Sequence, residues 1–131
     1  MSATPFLERW FAIMDSDEPE RVLDLITDDF VMSIQFSRGE GESAEFVGDR
    51  AGLEAYLEQR EKSVLVHHLT RGARVDDVEL LLGLTTRDGA FEASFNASAM
   101  LDPATDRCRR LLIGRTPNLE FPQASPGSPA I

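Results

Sequence analysis

The sequence predicts an α+β fold in which about three N-terminal helices pack on one face of a curved, mostly antiparallel sheet. Apolar residues recur at helical spacing in residues 5–26 and 50–61, whereas from residue 64 onward they alternate as in strands. The chain has 131 residues, of which 42% are hydrophobic, enough for one domain with its own core. We therefore expect a single domain over residues 1–116 and a proline-rich tail, 117–131, that carries four of the seven prolines.

The first predicted elements are two helices that lead into a strand. Thr4 and Pro5 are a typical N-cap and first helical residue, and apolar residues follow at helical spacing. Asp17 and Glu20 resemble a capping box, which predicts a second helix whose apolar stripe reaches residue 26. The strand that follows has four large apolar side chains on one face: Phe30, Met32, Ile34 and Phe36.

A polar segment separates this strand from the third predicted helix. Residues 37–45 are acidic and contain glycines, so they predict a mobile turn or flap before a short strand at residues 45–47. Asp49 is the expected N-cap of a helix over residues 50–61. Its inward face is predicted to carry Leu53, Tyr56 and Leu57.

The remaining elements are predicted strands joined by turns. The strands cover residues 64–70, 80–86, 91–101 and 109–116. Asp88 and Gly89 form a strong hairpin turn, and residues 102–106 form the next one. The alternation places His67 on one face of its strand and His68 on the other.

The strand over residues 91–101 has a small or aromatic face opposite a polar face. Phe95 and Ala97 share the first face with two other alanines, whereas Asn96 and Ser98 share the second. The polar face is as typical of pocket contacts as of a solvated or dimer-facing surface. Residues 80–84, which are apolar on both faces, favour a homodimer formed through the sheet.

The charge distribution argues against nucleic acid and membranes as partners. The formal net charge is −10, and the thirteen lysines and arginines are scattered, so there is no basic stripe for phosphates. We expect no signal peptide, because the start lacks a basic leader, and no apolar run is long enough to cross a bilayer. The lone cysteine, Cys108, excludes an internal disulfide and favours a cytoplasmic protein.

Cys108 and the two histidines are the residues to weigh for thiol or metal chemistry. Three arginines beside Cys108 could lower its pKa and make it reactive, but no histidine lies near it in the sequence, which favours an ordinary strand cysteine. Only Asp15 with His67 or His68 could bind a metal ion, which is too few ligands. The sequence therefore predicts neither a metal site nor a cofactor.

Four short motifs resemble a known superfamily in their order and spacing. They are Arg9-Trp10 followed by Asp15, Leu25-Ile26-Thr27-Asp28-Asp29, Phe46-Val47-Gly48, and His67-His68-Leu69-Thr70. Spread over residues 5–116, they resemble the nuclear transport factor 2-like superfamily and, within it, the SnoaL-like branch, which has the fold of ketosteroid isomerases and scytalone dehydratases. The resemblance implies a cone whose helices close over a concave sheet and leave an apolar pocket.

The resemblance also allows the catalytic positions of two enzyme groups to be compared. Ketosteroid isomerases of this fold use a tyrosine on the first helix, an aspartate base on the first strand and a protonated aspartate on a late strand. Trp10, Ile34 and Ala97 fall at these positions. None of them can replace the tyrosine, the base or the acid, so the isomerase mechanism is not implied.

Scytalone dehydratase-like members give a better match. They place a Tyr-Asp pair at the end of the first helix and a histidine at the start of the third strand. Asp15 and His67 match the aspartate and the histidine, whereas Met14 replaces the tyrosine, and Ile34 replaces a second tyrosine on the first strand. A neutral histidine oriented by Asp15 could act as a general acid or base. The resemblance thus implies His67 and Asp15 as catalytic residues.

Three functions are compatible with these observations. The first is a cyclase, dehydratase or isomerase that acts on a hydrophobic small molecule through His67 and Asp15, in a pocket lined by Trp10, Met14, Phe30, Met32, Ile34, Phe36, Tyr56, Phe95 and Ala97. The second, which Ile34 favours, is a module that binds such a molecule without turnover. The third is a dimeric interaction protein with an incidental cavity. In that case the wall residues are simply part of the core, and His67 is a half-buried strand histidine. Hydrogen-bond reach between Asp15 and His67 in a cavity would favour the enzyme.

Overall fold

The computed structural model describes residues 2–39, 41–60 and 64–122, which confirm the α+β class. In chain order the elements are α1 (Pro5–Met14), a 3-10 helix (Pro19–Leu25), β1 (Ile26–Gly39), β2 (Glu42–Asp49), α2 (Arg50–Gln59), β3 (Leu65–Val75), β4 (Val78–Arg87), β5 (Ala90–Leu101) and β6 (Cys108–Thr116). Residues 117–122 add no helix or strand. Most of the predicted tail, residues 123–131, lies outside the described residues.

One six-stranded sheet forms the second layer of the described part of the chain, in the order β2-β1-β6-β5-β4-β3. Neighbouring strands are antiparallel except β1 and β6, which are parallel, so the expected mostly antiparallel sheet is confirmed. Both α-helices pack on the same face of this sheet. The side chains they bury include Leu7, Trp10, Phe11, Leu53 and Leu57.

The first turn of α1 is capped by a residue of the sheet. Thr4 occupies the N-cap position, as expected, but its side chain makes no capping hydrogen bond. The buried carboxylate of Glu79 on β4 accepts the backbone N–H groups of Phe6 at 3.1 Å and Leu7 at 2.9 Å. This carboxylate also complements the positive end of the helix dipole. The predicted helix start and N-cap position are correct, but the capping hydrogen bonds go to Glu79 instead of the Thr4 side chain.

The second predicted helix is a 3-10 helix and ends before residue 26. Its period of three residues places Val22 and Leu25 on one buried side. Ile26 instead opens β1, where it pairs with Cys108 of β6. A β-branched residue suits this strand position, so β1 begins earlier than the alternation from residue 30 predicted.

The polar segment predicted as a flap is mostly a β-hairpin. β1 continues to Gly39 and β2 begins at Glu42, well before the short strand expected at residues 45–47. The polar side chains face solvent on the paired strands, where Glu45 accepts hydrogen bonds from Ser33 at 2.9 Å and Gln35 at 3.1 Å. Polarity here reflects exposure of a two-stranded ribbon rather than loss of regular structure.

The C-terminal half follows the predicted pattern of strands and turns. Asp88 and Gly89 have φ angles of 51° and 81°, as a type I′ hairpin turn requires. On β5, Phe95 and Ala97 are buried with the other alanines of their face, whereas Asn96 is exposed on the opposite face. Each of these strands is longer than predicted, because further residues at the strand ends pair across the sheet.

Candidate functional site

A cavity of about 250 Å³ lies between the α-helices and the sheet. Seven residues expected on a pocket wall line it: Trp10, Met14, Met32, Ile34, Phe36, Tyr56 and Phe95. Phe11, Phe46 and Ile113 add further apolar surface. Most of the wall is therefore apolar, which suits an apolar ligand.

Two residues expected on the wall, Phe30 and Ala97, lie in the core instead. Phe30 is fully buried and packs against Trp10, with ring centroids 6.3 Å apart. Ala97 is 3% exposed and belongs to the same core cluster. Both side chains point to the predicted face of the sheet, but neither reaches the cavity; for Phe30, α1 and its Trp10 cover that part of the face. The face on which these side chains lie was predicted correctly, but their place on the cavity wall was not.

Asp15 and His67 meet at the cavity wall through two hydrogen bonds. His67 Nδ1 lies 2.6 Å from Asp15 Oδ1, and the backbone N–H of His67 donates to Asp15 Oδ2 at 2.8 Å. Asp15 directly follows α1, whereas His67 lies on β3, so the pair joins the helical layer to the sheet. A carboxylate only accepts hydrogen bonds, so Nδ1 carries the hydrogen, and in the neutral form of this ring Nε2 has the lone pair.

The His67 ring is held among aromatic rings. Its centroid lies 4.7 Å from that of Phe11 and 5.3 Å from that of Phe95, which meets it edge-on. The side chains of His67 and Asp15 are only 13% and 17% exposed, so bulk water has limited access to the pair. Within the described part of the chain, Nε2 has no protein partner for a hydrogen bond.

His68 lies on the opposite face of β3 and is exposed. Its Nε2 is 2.9 Å from the hydroxyl oxygen of Thr86. The two histidines thus face opposite sides of the strand, as the alternation predicted, and the structure shows that His67 is the one at the cavity. The position of His68 on the opposite face also separates it from Asp15. Among the described residues, no group of three potential metal ligands comes together.

None of the helices in the described residues is long and apolar enough to span a membrane.

Three polar residues line the cavity that the sequence did not single out: Arg60, Thr85 and Arg115. Thr85 is the partner of His67 across β3 and β4. Arg60 follows α2, and its Nη1 donates to the backbone carbonyl of Met14 at 2.9 Å. Its spacing of four residues from Tyr56 within the predicted helix over residues 50–61 was the available signal, although α2 itself ends at Gln59.

Arg115 is balanced by Glu92 at the edge of the cavity. Arg115 Nη2 lies 2.5 Å from Glu92 Oε2, and Arg87 Nε lies 2.6 Å from Glu92 Oε1. The hydrogen bond from Arg87, together with the positive charge of Arg115, holds the pKa of the Glu92 carboxyl below its ordinary value. The positive charge of Arg115 is thus already engaged by the protein.

Cys108 is a buried strand cysteine with an unreactive thiol. Burial raises the pKa of this thiol to about 12, and the charge of Arg110 offsets only part of that effect. The alternative of a thiol activated by its neighbouring arginines is therefore wrong. The arginine side chains point away from the core; that of Arg109 is 47% exposed.

We expect iodoacetamide to label Cys108 slowly in the folded protein and quickly after unfolding in urea. With a pKa near 12, roughly one thiol in ten thousand is ionised at about pH 8, and only the thiolate reacts. Intact-protein mass spectrometry over a time course measures both rates. Equal labelling rates in the presence and absence of urea would contradict the burial of this thiol.

Comparisons with known proteins identify the fold. No family model and no curated protein sequence matches the chain. An NTF-2 like protein from Burkholderia xenovorans LB400 is similar, with 12% identity and a TM-score of 0.62 over 88% of this chain and 84% of that chain. A SnoaL-like family protein from Agrobacterium tumefaciens strain C58, named as a candidate isomerase, has 11% identity and a TM-score of 0.61 over 86% and 96% of the two chains.

A third similar structure is an assembly of two proteins. The match in the Mtr2–Mex67 M domain complex of C. albicans has 12% identity and a TM-score of 0.64, over 92% of this chain and 96% of that chain. Identities this low show the fold and leave the activity to be argued from the site. The chain thus has the nuclear transport factor 2-like fold that SnoaL-like proteins share.

Proposed function

We propose that the cavity binds a hydrophobic small molecule and that His67, oriented by Asp15, acts on it as a general acid and base. The reaction would be of the cyclase, dehydratase or isomerase type. The observation that carries the proposal is the 2.6 Å contact between His67 Nδ1 and Asp15 Oδ1 at the wall of an apolar cavity. The fold shared with a SnoaL-like protein named as a candidate isomerase supports this class of chemistry.

The proposed chemistry is a proton transfer within the substrate. Nε2 of His67 takes a proton from a carbon beside a carbonyl group or from a hydroxyl, and the Asp15 carboxylate stabilises the imidazolium that forms. The imidazolium then returns the proton to another atom of the substrate. Low exposure of both side chains favours this return over loss of the proton to water.

We expect His67→Ala to lower kcat on a polycyclic, polyketide-like substrate by about 10²- to 10⁴-fold, the usual contribution of a general acid or base. The fold should survive, because the backbone N–H of residue 67 still donates to Asp15. Turnover is followed by absorbance across a panel of such substrates, and folding by circular dichroism.

The matched control is His68→Ala, which removes the histidine on the opposite face of β3 and should leave kcat unchanged. Asp15→Asn is a second test: its amide would donate to Nδ1, move the ring hydrogen to Nε2 and remove the lone pair that acts as the base. Unchanged turnover in His67→Ala, or equal loss in His68→Ala, would remove His67 from the mechanism.

A non-catalytic binding module is the alternative that the site also supports. Ile34 stands on the cavity wall at the position where relatives with this fold carry a catalytic side chain, and it offers no proton. A protein with this function would bind its ligand equally well after His67→Ala and would form no product.

Two expectations from the sequence stay predictions: a single domain over residues 1–116 and a cytoplasmic location.

We also propose that the protein forms a homodimer through the face of the sheet opposite the cavity. The strand registers align Val47, Leu112 and Leu80 in one row across that face, with Ser33 and Ser98 between them. Leu112 is 51% exposed and Val47 is 61% exposed. Small serines between exposed apolar residues leave a surface that a second copy can cover.

Leu112→Glu should convert the dimer to a monomer, since it places a charge at the centre of this row. Light scattering coupled to size-exclusion chromatography gives the mass directly. Leu119→Glu is the control, because Leu119 is 55% exposed but lies beyond β6 and outside the row. A wild-type mass of one chain would contradict the proposed dimer.

A further inference from the structure

We infer that the natural ligand of the cavity carries a carboxylate and that Arg60 binds it. This inference rests on the ligand cavity proposed above and adds the chemical class of the ligand. Arg60 lines the cavity from the end of α2, one helical turn beyond Tyr56. It places a positive charge on a wall that is otherwise mostly apolar.

The geometry of Arg60 leaves its carboxylate-binding edge available. Its Nη1 is engaged by the carbonyl oxygen of Met14 at 2.9 Å and by the Met14 sulfur at 3.9 Å. Within the described residues, Nε and Nη2 have no hydrogen-bond or ion-pair partner. These two nitrogens form the side of the guanidinium group whose parallel N–H groups bind both oxygens of a carboxylate.

Arg115, the other arginine on the wall, does not offer the same edge. Its Nη2 is bonded to Glu92, which is itself shared with Arg87. A ligand carboxylate would have to displace Glu92 or lie beside it, and two adjacent carboxylates repel each other. Arg60 has no acidic partner within the described residues, so a ligand carboxylate there need not displace a carboxylate of the protein.

The position of Arg60 links the carboxylate to the proposed chemistry. The Met14 carbonyl that fixes Arg60 is one peptide unit from Asp15, which orients His67. A carboxylate bound by Arg60 would therefore anchor the polar end of the ligand beside the acid–base pair, while its apolar part extends between Ile34, Phe36 and Phe46. One anchored end and one apolar body fix the orientation of a small substrate.

The test compares two probes of the same shape, 2-naphthoate and the uncharged 2-naphthalenemethanol, by isothermal titration calorimetry. The wild-type protein should bind the carboxylate more tightly than the alcohol. Arg60→Met should weaken the carboxylate about tenfold or more, the usual effect of removing a charge-assisted pair, and leave the alcohol within about twofold. Arg109→Met removes an equal charge outside the cavity and should change neither affinity.

Arg60→Lys covers the case in which Arg60→Met fails to fold. It keeps the charge and loses the paired N–H groups, so the carboxylate preference should fall to an intermediate value. Equal binding of both probes in the wild-type protein and in Arg60→Met overturns this inference and leaves the proposed cavity standing. Loss of the preference in Arg115→Met but not in Arg60→Met assigns the anchor to Arg115 and also overturns it. Binding of neither probe overturns the proposed ligand cavity and this inference with it.

Discussion

Glu79→Ala should destabilise the protein by about 3–5 kcal/mol, because it leaves buried polar groups without their charged partner. Glu79 is fully buried, and its two oxygens each accept one backbone N–H group at the start of α1. Removing the carboxylate leaves Phe6 and Leu7 with unpaired N–H groups that water cannot easily reach. Urea unfolding followed by circular dichroism measures the loss as a lower midpoint.

Two further variants separate capping from simple loss of volume. Glu79→Gln keeps one acceptor oxygen and the side-chain volume but loses the charge, so its destabilisation should be smaller than that of Glu79→Ala. Thr4→Val removes the residue that sequence rules choose as the cap, but its hydroxyl has no partner within the described residues, so we expect a change within about 0.5 kcal/mol. A larger loss for Thr4→Val than for Glu79→Ala would mean that the sheet does not cap this helix.

Glu79 shows which part of the fold could be predicted from the sequence. Periodicity and turn residues are local signals, and they correctly predicted α1, the Asp49 cap of α2 and the turn at Asp88. The hydrogen bond from the Leu7 N–H to the Glu79 carboxylate joins residues 72 positions apart, and no local pattern reports such a pair. Local rules therefore predicted where α1 begins but not which residue holds it there.

The cavity wall could be predicted in part for the same reason. Strict alternation along β1 and β3 places Ile34 and His67 on the inner face. Whether an inner residue lines a cavity or fills the core depends on what the helices cover, which is why Phe30 was misplaced. Arg60 was not singled out because its contact with Met14 joins it to the end of another helix, which no local pattern reports.

The match of Asp15 and His67 came from a resemblance, not from the residues alone. Each residue by itself fitted a plain structural role, and their spacing of 52 positions carries no local signal. The two meet because α1 ends over the start of β3 and presents Asp15 to the backbone as well as to the ring. The bond from the His67 backbone N–H holds the Asp15 carboxylate independently of the ring, as the proposed acid–base pair requires.

The second large effect is expected at Gly83, where Gly83→Ala should cost about 1–3 kcal/mol or more from overpacking. A β-carbon at this position would lie 2.5 Å from the carbonyl oxygen of His68 and 2.6 Å from the ring of Phe95. The first of these atoms is backbone of the neighbouring strand and cannot turn aside. β3 also has a register shift between Leu69 and Arg71, directly beside the pairing of Leu69 with Gly83.

The same substitution should disturb the proposed site, since the Phe95 ring that lies over Gly83 is also the ring that meets His67 edge-on. Gly52→Ala is the control: a β-carbon there meets its neighbours at an ordinary 3.7 Å, and alanine favours the helix by about 0.5–1 kcal/mol. The double variant Gly83→Ala/Phe95→Leu should recover only part of the loss, because the clash with the His68 carbonyl remains. Full recovery of stability in the double variant would mean that the clash is with the Phe95 ring alone. An unchanged melting temperature for Gly83→Ala would show that β3 and β4 are not in this close contact.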